Sequence, residues 1–301
     1  MTRPGYLDLR GRGELAARAA GARARQSPCR VCPRHCGVDR GGGELGTCRV
    51  GAGALVAGHG AHHGEEAPLS GRHGSGAVFF AGCNLRCVFC QNYDISQMRE
   101  GREVAAAELA GMMLELQAQG CHNINWVTPS HQVPQILDAL VLAAERGLSL
   151  PIAYNTSAYD DVDTLRLLDG VVDIYLPDFK YIDRDNAARY SEAPDYPTIA
   201  RAALREMHRQ VGDLVVDPSG IAVRGLLVRH LVLPGGLAGT NEAMRFLADE
   251  LSRDTYVNIM DQYRPCFRAH EHPELSRRIT AAEQAEAVRA ARECGLRRIE
   301  G

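Results

Sequence analysis

The sequence predicts an α/β protein: a partial (β/α)6 barrel over residues 77–301, preceded by a cysteine-rich N-terminal extension over residues 1–76. Three observations carry this. From Val78 onward, short apolar runs alternate with helix-period patterns, the mark of βα units around a parallel sheet. Polar or small residues follow each run in phase, as they do at the carboxyl ends of barrel strands. The stretch before Ala77 instead joins an Ala/Arg-rich helical pattern, four clustered cysteines and a Gly/His-rich segment.

The extension opens with a helix over 13–25, whose arginines read as a solvated face rather than a nucleic-acid arm. Cys29, Cys32, Cys36 and Cys48 follow, four thiolates that close a shell around either zinc or a second iron–sulfur cluster. The cluster chemistry of the next cysteine loop favours iron–sulfur. In 51–76 the glycines around His59, His62 and His63 read as a loop with exposed histidines.

The first barrel strand, Ala77–Ala81, runs straight into Gly82-Cys83-Asn84-Leu85-Arg86-Cys87-Val88-Phe89-Cys90. Zinc sites usually pair their ligands as CxxC and close the tetrahedron with a fourth nearby Cys or His. A CxxxCxxC triplet instead leaves one iron of a four-iron cluster without a protein ligand. A cofactor bringing its own amino and carboxylate groups would fill that place.

A helix over 103–119 then buries Leu109, Met112, Met113 and Leu116, the methionines as core filler. Strand two, 122–128, precedes a helix with Val133, Ile136, Leu137, Leu140, Val141 and Ala144 on one face. Strand three, 152–154, ends in Asn155-Thr156-Ser157, and strand four, 172–176, in Asp178-Phe179-Lys180. A hairpin turning on Pro218-Ser219-Gly220 leads to strand five, 227–233, and strand six, 256–260, ends in Asp261-Gln262-Tyr263.

Composition narrows the function classes. A net charge of −3 asks for neither nucleic acid nor an acidic partner, and no apolar run is long enough to span a membrane. Ten cysteines without a secretory leader, clustered at metal-ligand spacing, imply a reducing, cytoplasmic setting. The isolated Cys121, Cys266 and Cys294 read as buried small hydrophobes. Lys180 is the only lysine among 34 basic side chains, which marks a place where a compact ammonium matters.

These strings, together with Cys29-Arg30-Val31-Cys32-Pro33-Arg34-His35-Cys36, Tyr154-Asn155-Thr156-Ser157, Asp173 to Tyr181, Val228 to Gly235 and Asn258 to Tyr263, resemble the radical S-adenosylmethionine (SAM) superfamily. Within it they are similar to the glycyl-radical-enzyme activases, in the branch related to pyruvate formate-lyase activating enzyme (PflX-like). The resemblance implies a radical SAM barrel and assigns Cys83, Cys87 and Cys90 to a [4Fe–4S] cluster whose open iron chelates SAM, with Phe89 against the adenine. It places Asn155, Thr156, Ser157, Asp178, Lys180, Arg229 and Gln262 around SAM, with Lys180 and Arg229 as partners for its carboxylate. Two departures bear on how far it reaches. Asn155 stands where activases carry an aspartate of a monovalent-cation site, and Val127-Thr128-Pro129-Ser130-His131 replaces a Gly-Gly-Glu motif.

The implied activity is reductive cleavage of SAM, with an electron from an external one-electron donor, to a 5′-deoxyadenosyl radical that abstracts hydrogen. Its target is a glycyl radical enzyme, or alternatively a small molecule or a peptide, with Glu65, Glu66 and His131 as candidate substrate contacts. A third reading is a non-catalytic iron–sulfur or zinc protein that binds a partner.

Overall fold

The computed structural model describes residues 3–301. In chain order its elements are α1 (Gly5–Gly11), α2 (Glu14–Ala24), β1 (Ala54–His62), α3 (Ala67–Ser70), β2 (Ser75–Phe80), α4 (Tyr93–Ser96), β3 (Arg102–Val104), α5 (Ala106–Ala118), β4 (Ile124–Val127), α6 (Val133–Glu145), β5 (Ile152–Thr156) and α7 (Val162–Leu167). Then come β6 (Ile174–Pro177), α8 (Arg184–Ser191), α9 (Tyr196–Val211), β7 (Val215–Val216), β8 (Ala222–Leu231), α10 (Thr240–Phe246), β9 (Tyr256–Met260), α11 (Ala281–Glu293) and β10 (Arg298–Glu300).

The sheet runs β10-β9-β8-β6-β5-β4-β2-β1-β3, with β7 as a short hairpin partner of β8. From β2 to β10 every step along this path is parallel, while β1 and β3 add antiparallel strands at the other edge. Strands β4, β5 and β6 are buried along their whole length, which is why they read as apolar runs and not as alternating ones. Helices cover the outer face: α5 buries Leu109, Met112, Met113 and Leu116, and α6 buries Val133, Ile136, Leu137, Leu140 and Ala144.

The sheet curls. Asn125 on β4 donates to Glu65 Oε1 at 3.1 Å, and Asn258 on β9 donates to the adjacent Glu66 at 2.9 Å. In a flat sheet these strands, four spacings apart, would be separated by roughly 19 Å. Both reach one pair of neighbouring carboxylates only because the strands wrap a common interior, as in a barrel left open between its two edges.

Three features differ from the sequence reading. The Gly/His-rich stretch is not a loop: 54–62 is strand β1, paired with β2 from Val56↔Phe80 to His62↔Ser75. Its two paired histidines, His59 and His62, are held by Glu115 and by the Phe79 ring, so pairing with β2 supplies what its composition does not. A seventh parallel strand, β10, extends the sheet; its three residues are too few and too polar to register as a strand pattern. Of the isolated cysteines, Cys121 is buried, but Cys266 and Cys294 are only half-buried. No helix is long and apolar enough to cross a membrane among the described residues.

Candidate active site

The cysteine loop leaves β2 at the carboxyl end of the parallel strands and is tied down by three backbone bonds to two segments, the end of α8 and the loop at Arg268. Arg86 N–H donates to Ser191 O at 3.1 Å, Val88 N–H to Tyr190 O at 2.9 Å, and Arg268 N–H to Val88 O at 2.9 Å. Gly82 opens the loop with φ +76, and a Cβ there would lie 2.6 Å from the Cys48 carbonyl oxygen, so only glycine fits. Cys83 and Cys87 are buried and Cys90 is half-buried. Burial, then the neighbouring Cys87, pushes the Cys83 thiol up to about 12, and burial raises Cys90 likewise. Three mutually close sulfurs in a dry pocket need a positive centre to become thiolates. Hydroxyls supplement them: Ser191 Oγ donates to Cys87 Sγ at 3.1 Å, and Ser96 Oγ lies 3.1 Å from Cys90 Sγ.

Next to this pocket stands Lys180. Its ammonium holds Asp178 Oδ2 at 2.7 Å and lies close enough to Cys87 to feel its charge. Burial works against the ammonium, but Asp178 and then Cys87 outweigh it and raise its pKa; Arg229 and Lys180 hold Asp178 below the usual carboxylate range against its own burial. Asp178 is thus shared by two cations.

Arg229 is a hub rather than a free cation. Its Nε donates to Asp178 Oδ1 at 2.8 Å, one Nη to Glu65 Oε2 at 3.2 Å and the other to Asn155 Oδ1 at 2.6 Å. Glu65 enters from below: β1 runs antiparallel to β2, so the turn after His62 lies at the amino ends of the strands and sends Glu65 and Glu66 up the barrel axis. Burial raises the Glu65 pKa, with Arg229 opposing it. The sequence reading named Glu65 only as a possible substrate contact; its partner lies 164 positions away, and no local pattern announces that.

The other expected site residues divide. Phe89 sits edge-on between Tyr181 and Tyr263, with ring centroids 6.2 and 5.9 Å away. Thr156 is turned inward, its hydroxyl 2.8 Å from Ser130 Oγ and 2.5 Å from the buried Asp160. Ser157 is half-buried, and its carbonyl accepts from Tyr196. Gln262 is exposed beside the loop, its carbonyl accepting from Gln91 at 3.1 Å. His131 is fully buried beneath the loop, with Nε2 3.0 Å from Ala81 O. Thr128 has φ +60, an unfavourable conformation for a β-branched residue, where activases would place a glycine.

Of the extension's cysteines, Cys29, Cys32 and Cys48 are buried and Cys36 is half-buried. They lie against the Cys83 loop: the Arg86 guanidinium bridges the carbonyls of Cys83 and Thr47, and Arg34 Nε donates to Asn84 O at 2.7 Å.

Comparison with known proteins agrees with this geometry. A Radical SAM superfamily model matches residues 77–217. An uncharacterized protein of Methanocaldococcus jannaschii is 31% identical, covering 89% of this chain and 75% of its own length. The pyruvate formate-lyase-activating enzyme of Clostridium pasteurianum is 29% identical over 57% of this chain and 67% of its own length. A radical SAM methyltransferase from Sphaerobacter thermophilus superposes with a TM-score of 0.52 at 16% identity, over 74% of this chain and 65% of that one, a likeness of fold. With the cysteine triplet at the head of a parallel α/β sheet, this chain belongs to the radical SAM superfamily, and is an enzyme whose membership implies a [4Fe–4S] cluster and SAM.

Proposed function

We propose that Cys83, Cys87 and Cys90 hold the [4Fe–4S] cluster, and that the enzyme cleaves SAM reductively to a 5′-deoxyadenosyl radical for hydrogen abstraction. The observation that carries this is the convergence of two buried thiols and one half-buried thiol beside the sole lysine. The donor set suits such a cluster: three soft sulfurs, one hydroxyl donating to Cys87 and a second within hydrogen-bond distance of Cys90, and a cation to balance their charge. When bound, cluster and SAM supply the radical chemistry once an external donor delivers one electron.

This chain's own residues bind and orient. Asp178 holds the Lys180 ammonium, which would pair with the carboxylate of SAM. Arg229, its donors committed to Asp178, Glu65 and Asn155, fixes the bed under that ammonium. Phe89, held edge-on between Tyr181 and Tyr263, would offer its ring to the adenine. Thr156, tied to Ser130 and Asp160, stiffens the strand end, while Ser157 and Gln262 contribute from the rim. Asn155 keeps an oxygen only for Arg229, which argues against a cation site of the activase kind.

The sequence likeness to the Clostridium activating enzyme favours a glycine of a partner enzyme as the hydrogen donor. The remaining assignments are a reducing, cytoplasmic setting, a boundary between extension and barrel near residue 76, and a metal or cluster at the extension's cysteines. Anaerobic protein with a reconstituted cluster, given SAM and a strong reductant, should release 5′-deoxyadenosine; protein with an intact cluster that releases none would sink the proposal. Cys87→Ala should abolish the release.

A further inference from the structure

The extension's four cysteines form a second site with its own charge problem. Cys29 N–H donates to Val38 O at 2.8 Å, Gly37 N–H to Cys29 O at 3.1 Å and His35 N–H to Cys32 O at 3.0 Å, closing a knuckle that turns three thiols to one side. A second turn, with Arg49 N–H on Gly46 O at 2.7 Å, brings up Cys48. Between the two lies Arg40, with no exposed surface. One Nη donates to Cys48 Sγ at 3.1 Å, the other to His131 O at 2.8 Å, and Nε has no partner. A Cβ on Gly46 would lie 3.1 Å from Arg40 Nη2 and 3.3 Å from Cys36 Sγ, so guanidinium and thiols face one small space.

A guanidinium does not give up its proton, and burying it without an anion costs several kcal/mol. Among the described residues no carboxylate forms an ion pair with Arg40; the Cys48 sulfur is the group in contact with it that can carry negative charge. Several thiolates packed together in turn require a metal. Four thiols with no other protein donor among them complete the ligand shell of a four-iron cluster, and they stand beside the Cys83 triplet, where the superfamily implies such a cluster. The site also shares a wall with that triplet: Cys48 O abuts Gly82, and Arg86 bridges Thr47 and Cys83.

We propose that Cys29, Cys32, Cys36 and Cys48 ligate a second [4Fe–4S] cluster, complete in its four thiolates and countered by Arg40, that relays electrons to the cluster of the Cys83 loop. A low-potential one-electron carrier reduces the second cluster by one electron, which passes to the first; the second returns to its oxidised form, and no atoms move. This rests on the reading of the extension's cysteines as a metal site.

The test is the metal content and electron paramagnetic resonance of the full chain carrying Cys83→Ala, Cys87→Ala and Cys90→Ala, reconstituted anaerobically. It should keep one cluster's worth of iron and a reduced-cluster signal, both lost on adding Cys32→Ala or, should that variant not fold, Cys36→Ser. Zinc in place of iron, or neither metal, overturns the proposal. Because this variant lacks the SAM-cleaving triplet, the outcome is independent of whether SAM is cleaved. In a redox titration Arg40→Gln should lower the midpoint potential of the retained signal, with Arg40→Lys recovering most of the shift; an unmoved midpoint removes Arg40 from the argument. In protein with the triplet intact, Cys32→Ala should slow reduction of the first cluster by a reduced low-potential flavoprotein several-fold, and an unchanged rate overturns the relay.

Discussion

At the scale of single residues, the site turns on which charges have partners. Arg229 holds two carboxylates, Asp178 and Glu65, in a largely buried network. Arg229→Met removes the cation, leaving Glu65 without a counter-charge and Asp178 with Lys180 alone, so stability should fall by about 3–5 kcal/mol, read as a lowered urea midpoint. Lys180→Met leaves Asp178 still paired with Arg229, so the stability loss should be smaller while the KM for SAM rises. Equal stability losses for the two variants would contradict the division of labour between hub and open cation. Thr128 presents the opposite case, a strained residue without a compensating side-chain bond. Relief of its left-handed backbone is worth about 1–2 kcal/mol. Glycine's greater freedom in the unfolded chain takes back about half of that, so Thr128→Gly should match or exceed the parent Tm.

At the scale of elements, β8 is pinned to its neighbours by a neutral histidine. His230 Nδ1 lies 2.7 Å from Phe179 O beyond β6, and Nε2 lies 2.9 Å from Thr240 at the start of α10. Burial, with Lys180 adding to it, lowers its pKa to about 4, and burial does the same for His131. The sign follows from proton uptake. Between the ordinary histidine pKa near 6.5 and the folded value near 4, the unfolded chain binds a proton that the folded chain refuses. Stability should therefore decline as pH falls through that window and level off below it. At about 1.4 kcal/mol per unit, each histidine accounts for roughly 3 kcal/mol. Asp173, pushed up to about 6 by burial, opposes the histidines in the same window; urea melts from pH 7 to 4 on His230→Asn should therefore show a smaller loss of stability on acidification than the parent, and an unaltered slope would mean that other groups carry it.

At the scale of the whole molecule, the extension is the barrel's floor as well as a cysteine carrier. β1 completes the antiparallel edge, and the turn after it places Glu65 and Glu66 among Asn125, Asn155, Arg229 and Asn258. Deleting residues 1–66 should therefore leave a barrel with an open edge and an Arg229 that has lost Glu65, and the product should be insoluble or lack a cooperative melt. A soluble, cooperatively melting fragment would make the extension a separable domain.

The βα alternation, the cysteine triplet and the helix faces of α5 and α6 were legible because each is a local pattern whose period or spacing is set by nearby backbone geometry. β1 and β10 were not, since a Gly/His-rich strand and a three-residue strand owe their form to the neighbours they pair with. What the sequence determined by itself was the chemistry available: three thiols in one loop, four in another, one lysine. The tertiary structure alone decided which charges meet, Glu65 with Arg229 across 164 positions and Arg40 with Cys48 and the His131 carbonyl. The reason is that a buried charge must find its counterpart wherever folding brings one, and sequence distance places no limit on that search.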